Sequence, residues 1–285
     1  LVNATAGSGK SSSIEQMVRR LPSQISTVIL AFNKRIAEAM QARVPRHVSC
    51  STLNGLGHRA LMGWARGEGV RLDIDSSKVR KLVQASTSYE EGRAIGQSVT
   101  KLVEMAKAHG IAPTTAMSPF EAGQIQGLEP DTDESWLALM GRYDIIPMSD
   151  KEEARIIQLA RDVLAQNIRL ARNGQIDFDD QIYLTVVLGI QVPQYDVVCV
   201  DEAQDLNKVN RAMIHRMLRP SSRLIAVGDP MQGIYRFRGA DAHSMERIQE
   251  EFGCTPMPLS ITYRCPKSHV ALAQTLVPTI EAAPW

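Results

Sequence analysis

The sequence has almost no net charge. Its 285 residues carry 32 Lys and Arg against 31 Asp and Glu, a formal +1. No basic tail or acidic flank therefore announces a polyanionic partner, and any such partner has to be met by a local cluster. Cysteine is scarce too: four residues, at 50, 199, 254 and 265, with no CxxC spacing, which removes the usual zinc and dithiol frameworks. Cys50 and Cys199 fall in apolar, strand-like runs, so the thiols read as reduced core groups of a cytosolic protein. No apolar run approaches the ~20 residues that a membrane-spanning helix needs, and no charged-then-apolar leader precedes the first motif. The expectation is a soluble protein that does not meet a membrane. Internal repeats and low-complexity tracts are lacking. His109, His215 and His243 show no metal-ligand spacing and read as surface or packing residues.

What is present is an ordinary globular composition, 44% hydrophobic and 22% charged, in a chain long enough for one large domain or two ordinary ones. Three apolar runs read as buried parallel strands: "TVILAF" at 27–32, "YDVVCVDEA" at 195–203 and "RLIAVGD" at 223–229. "HVSCST" at 47–52 and "MPLSITYR" at 257–264 are weaker candidates. Together they suggest a doubly wound α/β sheet whose ligands gather at the strand ends.

Between about Leu61 and Leu188 the texture turns helical. Ser149-x-x-Glu152 is a capping box, and Ile156, Leu159, Val163 and Leu170 follow at near-helical spacing until Gly174. Residues 114–135 read as a loop-rich joint. The expected division is a core of 1–60 and 189–285 interrupted by a helical insertion at 61–188. The run Lys78-Val79-Arg80-Lys81 reads as a solvated helix face, with contact to a nucleic-acid backbone as the other option.

Chemistry concentrates in three places. "ATAGSGKS" at 4–11 fits a phosphate-loop pattern in which Ala4 takes the first glycine position, and residues 12–21 read as the helix that follows, stopped by Pro22. Small residues at Ala6, Gly7, Ser8 and Gly9 let successive backbone N–H groups and a helix N-terminus face a polyphosphate. Lys10 can then reach the β and γ phosphates, with the Ser11 hydroxyl on Mg²⁺ and Ser12 opening the helix. "VVCVDEAQD" supplies the acidic strand end such a loop requires: Asp201 for Mg²⁺, and Glu202 to orient or deprotonate a water. "AVGDPMQGIYRFRGA" at 226–240 places Gln232 where a γ-phosphate sensor can sit. Tyr235 and Phe237 there alternate with Arg236 and Arg238, a combination suited to stacking bases and neutralising phosphates of a single strand, or else to core packing.

With these motifs in this order, the chain resembles the first RecA-like domain of UvrD/Rep-type superfamily 1 DNA helicases. "LSITYR" at 259–264 is similar to the family's fourth motif. The resemblance implies a RecA-like P-loop NTPase fold, a parallel β-sheet flanked by helices with an inserted, mostly α-helical subdomain. It implies ATP and Mg²⁺ as cofactors, Tyr263 stacked on adenine, and Arg264 as an arginine finger. "AFNKRIAEAM" and "SCSTLNGLGHRAL" match the DNA-contacting motifs, making Phe32, Asn33, Lys34, Thr52 and Asn54 candidates alongside Tyr235, Phe237 and Arg238. "GQIDFDDQIYL" matches the helix where the insertion returns to the core. Leu53, Asn54, Phe237 and Thr262 depart from the residues usual in the family, which has an aromatic, His, Trp and Asn there.

The implied partner is single-stranded DNA or a single/double-strand junction, with 3′ to 5′ movement. The implied compartment is the cytoplasm and nucleoid if the source is bacterial or phage, and the nucleus if eukaryotic. The adenine-side glutamine motif and the second RecA-like domain are expected in sequence outside these residues. The chain alone is accordingly expected to bind ATP weakly and to separate no strands. A nucleic-acid-binding or regulatory P-loop module without unwinding activity, for example in a nuclease or defence complex, is the alternative. A P-loop kinase or GTPase accounts for neither Gln232 nor the aromatic and arginine cluster.

Overall fold

The computed structural model describes residues 1–118, 121, 128–233, 239, 241 and 243–284. Ten short strands follow in chain order among these: β1 Val2–Ala4, β2 Thr27–Leu30, β3 Val48–Ser51, β4 Asp73–Ile74, β5 Gln175–Ile176, β6 Tyr195–Val200, β7 Leu218–Gly228, β8 Met257–Leu259, β9 Ile261–Thr262 and β10 Glu281–Ala282. Six of them form one sheet in the order β3-β2-β6-β7-β1-β8, with every pairing parallel.

The central strand segments 28–30, 197–200 and 224–227 are apolar because both faces of the sheet are covered there. On one face Val28, Leu30, Val198, Val200 and Ala226 pack with residues of the helices Lys208–Met217 and Ser244–Phe252. On the other, Ile29, Ala31, Val197, Cys199 and Val227 pack with the helices Lys10–Val18 and Lys34–Gln41. This is the doubly wound arrangement expected of an α/β, RecA-like domain. "MPLSITYR" is two strands rather than one. Thr5 donates its backbone N–H and its hydroxyl to Leu259 O at 3.0 and 3.2 Å. Past that point the chain leaves β1, and β9 pairs with β10 instead.

A third core gathers apolar residues from Leu61 to Ile190, with Trp136, Leu102, Ile156 and Leu164 fully buried. It is built on the helices Lys78–Ala85, Tyr89–His109, Asp133–Arg142 and Asp150–Arg172. The sheet-side core and this one meet within continuous helices. In Leu53–Gly67, Leu53 and Leu56 face the sheet side while Leu61 joins the helical core. In Asp180–Val187, Ile182 and Val186 face one way and Tyr183, Leu184 and Val187 the other. These two helices cross closely at Gly57, where a Cβ would lie 2.1 Å from Gln181 O.

The expectations for Lys78 and for the thiols need correction, while His109 is a packing residue as expected. Lys78 is not on a solvated face: it is 3% exposed, donates to Asn167 O at 2.9 Å and pairs with Asp180 at 2.8 Å. Arg80 and Lys81 do remain exposed. His109 is a buried packing residue whose Nε2 lies 2.8 Å from Tyr143 Oη, and burial pushes its pKa down to about 4. Of the four free thiols only Cys199 is fully buried, and burial pushes its pKa up to about 12. Among the described residues no helix is long and apolar enough to cross a membrane.

Candidate nucleotide site

The 5–9 loop leaves β1 and turns into the helix Lys10–Val18, which starts two residues before the expected Ser12 because Gly9 takes the cap position. Gly7 and Gly9 both have left-handed backbone, φ +74 and +86. No side chain caps the helix, so its first N–H groups are left for a ligand. Ser8 is buried, and its Oγ has no hydrogen-bond partner among the described residues. Ala6 and Gly9 are half-buried and Ser12 exposed.

The loop is also held from behind. Tyr263 N donates to Gly7 O at 3.0 Å, and a Cβ on Gly7 would meet Arg264 Cβ at 2.4 Å and Thr262 Oγ1 at 2.8 Å. The backbone of Arg264 therefore sits against the loop, with its guanidinium-bearing side chain and that of Tyr263 exposed.

β6 delivers the acidic pair. Consecutive strand residues point to opposite faces, so Asp201 and Glu202 could not both face the loop from within a strand. The strand stops at Val200, and Glu202 adopts the left-handed conformation, φ 54 and ψ 45. A non-glycine residue there carries strain of order 1–3 kcal/mol, the kind of strain that clusters at functional sites. Both carboxylates then meet the loop. Ser11 Oγ donates to Asp201 Oδ2 at 2.8 Å, and Lys10 Nζ reaches Glu202 Oε2 at 3.1 Å. Burial above all holds the Asp201 carboxyl above its ordinary range, with the charge of Glu202 adding and the Ser11 hydrogen bond opposing.

A hydrogen-bonded chain continues from there to Gln232. Gln204 Nε2 donates to Glu202 Oε2 at 2.9 Å, and Gln204 Oε1 accepts from Asp229 N at 2.9 Å. Asp229 Oδ2 in turn accepts from Gln232 Nε2 at 2.6 Å. Asp205 is half-buried with an unpartnered Oδ1 among the described residues, and burial followed by the charge of Glu202 pushes its pKa up to about 6.

The expected nucleic-acid residues divide. Phe32, Thr52 and Asn54 line one crevice of about 130 Å³ together with Asp201, Glu202 and Asp205. A neighbouring cavity of about 580 Å³ shares Phe32, Asn54, Asp205 and Asn210 with it and adds Asp179 and Tyr183. Asn33 and Thr52, however, have their side-chain oxygens committed as helix caps, accepting from Ile36 N at 2.9 Å and Gly55 N at 3.0 Å. Asn54 Nδ2 donates to Phe178 O at 3.0 Å, and Lys34 is exposed beside Glu38 at 3.8 Å. Tyr235, Phe237 and Arg238 lie outside the described residues.

The donor set fits a nucleotide triphosphate with Mg²⁺. Left-handed glycines, uncapped amides and a lysine suit a polyphosphate, and a hydroxyl beside a carboxylate suits a hard cation that keeps its remaining ligands from water and phosphate. The sequence family described as UvrD/REP helicase N-terminal domain matches residues 1–253. The chain belongs to the UvrD/REP helicase family.

Individual relatives agree with it. F-box DNA helicase 1 of Gallus gallus is 27% identical over 246 residues, covering 84% of this chain and 22% of that protein. ATP-dependent DNA helicase PcrA of Leuconostoc citreum is 24% identical over 275 residues, covering 88% of this chain and 33% of its own length. RecBCD enzyme subunit RecB of Mycolicibacterium smegmatis is 36% identical over 107 residues, 33% of this chain and 10% of that protein. The chain spans only 22% and 33% of the first two relatives.

Within this UvrD/REP domain, Gln204, Asp229 and Thr262 join the motifs to one another, roles that the motifs alone do not assign. Gln204 stands inside the Asp-Glu-Ala-Gln-Asp stretch, and its position two residues past Glu202 was the available signal. Thr262, noted as a departure from the family's usual Asn, is buried against the loop, with its Oγ1 accepting from Arg264 N at 3.4 Å. Asp229 was legible only as the end of a strand, and its role as the acceptor that orients Gln232 depends on the turn that follows it.

Proposed function

We propose that this chain is the ATP-binding half of a DNA motor that moves on single-stranded DNA, 3′ to 5′, and separates strands when the rest of the protein is present. The observation that carries the reading is the pair of contacts Lys10 to Glu202 and Ser11 to Asp201, which unites a phosphate loop with an acidic strand end 190 residues away in sequence. The family and the names of its relatives support the DNA motor over other uses of such a loop. Residues 1–60 and 189–285 would form the RecA-like unit and 61–188 the inserted helical one, acting in whichever compartment holds the DNA.

ATP, when bound with Mg²⁺, supplies the phosphoanhydride whose cleavage drives movement. Lys10 and the amides of residues 6–12 would hold the phosphates, and Ser11 and Asp201 would hold the cation. Glu202 Oε2 is placed to take a proton from the attacking water once Lys10 turns from it to phosphate. Gln232 and Arg264 would serve the γ-phosphate, where a guanidinium stabilises charge spread over the phosphoryl oxygens. Tyr263 would stack on the adenine. Phe32, Thr52 and Asn54 would meet the strand, with Tyr235, Phe237 and Arg238 as further candidates, and the crevice that holds the first three also touches both carboxylates.

Nucleotide binding by residues 1–285, followed by titration with and without Mg²⁺, tests the site. Binding that Lys10→Ala abolishes and Mg²⁺ strengthens supports it; binding indifferent to both substitution and metal refutes it.

A further inference from the structure

Gln204 sits between Glu202 and Asp229, and both ends of its side-chain amide are engaged. The residue is 5% exposed. Its Nε2 donates to Glu202 Oε2 at 2.9 Å and, at 3.5 Å, to Asp205 Oδ2, while its Oε1 accepts from the backbone N–H of Asp229 at 2.9 Å. These partners fix which way round the amide lies. A reversed amide would set its oxygen against the Glu202 carboxylate and its NH₂ against the Asp229 N–H, two repulsions in a buried place. The Asp229 N–H is a backbone donor directly after β7, on a residue that is itself 5% exposed. Gly228 makes the room for this contact, since a Cβ there would lie 2.7 Å from Gln204 Oε1 and 3.0 Å from Gln204 N.

Glu202 needs a partner of this kind. Its Oε2 takes two side-chain donors, Lys10 Nζ at 3.1 Å and Gln204 Nε2 at 2.9 Å. In the site proposed above the Lys10 amine belongs to phosphate, which leaves Gln204 as the side-chain donor on that oxygen among the described residues. A base is effective only when its oxygen stays within about 2.6–3.2 Å of the water it deprotonates. Glutamate has three side-chain torsions to restrain, and a hydrogen bond from a buried amide of fixed orientation restrains them. The oxygen has two lone pairs: one stays with Gln204, and the one that Lys10 vacates is left for the proton.

We propose that Gln204 is the positioning residue of Glu202, its amide oriented by the Asp229 N–H and holding the carboxylate toward the attacking water. Gln204 acts through Glu202 and touches no phosphate. Asp229 also accepts from Gln232 Nε2 at 2.6 Å, so one residue at the end of β7 aligns both the base, by way of Gln204, and Gln232. The inference rests on the reading of Glu202 as the base.

The test is steady-state ATP hydrolysis by the full-length protein with Mg²⁺ and single-stranded DNA, in the wild type, Glu202→Gln, Gln204→Met and Glu202→Gln/Gln204→Met. Gln204→Met keeps the length of the side chain and removes the donor. It is expected to lower kcat by about 10- to 100-fold, part of the worth of a general base, and to move KM for ATP by less than about twofold. On top of Glu202→Gln the same substitution is expected to change kcat by less than about twofold, because the group it positions is already gone. Gln204→Glu, which keeps an acceptor for the Asp229 N–H, is read against the same two outcomes and carries the test if Gln204→Met does not fold. A wild-type kcat in the Gln204 variant, or a loss confined to KM, overturns the positioning role and leaves Glu202 as the base. A loss in kcat that multiplies with that of Glu202→Gln overturns it as well, since Gln204 would then act elsewhere. Glu202→Gln that turns over at the wild-type rate overturns the reading of Glu202 as the base and this inference with it.

Discussion

Gly7→Ala gives the sharpest test of how the phosphate loop is held. At φ +74 an alanine pays about 1–2 kcal/mol for the left-handed backbone alone. Its Cβ would also fall 2.4 Å from Arg264 Cβ, 2.8 Å from Thr262 Oγ1 and 3.3 Å from Arg264 N. The first of these sits on the main chain and cannot swing away, so the loop and the 262–264 segment have to part. Parting breaks the hydrogen bond from Tyr263 N to Gly7 O, worth about 1 kcal/mol net. The whole effect is about 2–4 kcal/mol, combining strain with the lost contact. Gly9→Ala is the internal control. Its φ is +86, with nothing within 4 Å of the new Cβ, so it carries only the strain. Urea unfolding of the two variants should show Gly7→Ala less stable than Gly9→Ala by at least about 1 kcal/mol. ATP affinity should fall further in Gly7→Ala as well, since the Arg264 segment is displaced with the loop. Equal destabilisation of the two would refute the claim that the 262–264 segment braces the loop.

Glu202→Gln should leave ATP binding close to wild type and slow turnover by about 10²- to 10⁴-fold in the full-length protein, the usual worth of a general base; a loss of binding in an equilibrium assay would instead make Glu202 structural. Lys107→Met removes the cation between Asp177 and Asp180 and leaves buried charge uncompensated, so it is expected to lower stability by about 3–5 kcal/mol in denaturant titrations. A change below about 1 kcal/mol would show that the cluster is not held by that charge. Asp205 has a folded-state pKa of about 6 against an ordinary 3.8, so the fold favours its protonated form. Its contribution to stability is full below pH 3.8 and is lost as pH rises through about 6. Asp205→Asn should flatten the stability profile across that window, and an unchanged slope would place the raised pKa elsewhere.

The sheet was legible because its central strands are covered on both faces, which makes them continuous apolar runs at 28–30 of β2 and 197–200 of β6. The loop and the acidic pair were legible because each needs particular residue types at fixed spacing. What no local reading could supply was long-range pairing. Lys78 looked like part of a solvated charge run, yet its partner Asp180 lies 102 residues away. Asn33 and Thr52 resembled nucleic-acid contacts, and their oxygens turn out to cap the helices they precede. The left-handed turn at Glu202 that brings two adjacent carboxylates to one side is set by the 3-10 segment Ala203–Asp205 and the Lys10 contact, and nothing in the residue type foretells it. Gln204 likewise gains its role only when Asp229, 25 residues on, is folded beside it.

On the reading proposed above, the 5–12 loop and the Asp201–Glu202 strand end together form the ATP site of an ATP-driven motor that acts on DNA. ATP hydrolysis by the full-length protein, measured with and without single-stranded DNA and compared with Lys10→Ala, tests it most directly. Hydrolysis that DNA stimulates and Lys10→Ala eliminates is the expected result. Hydrolysis that ignores DNA, or that survives the loss of the Lys10 amine, would contradict it.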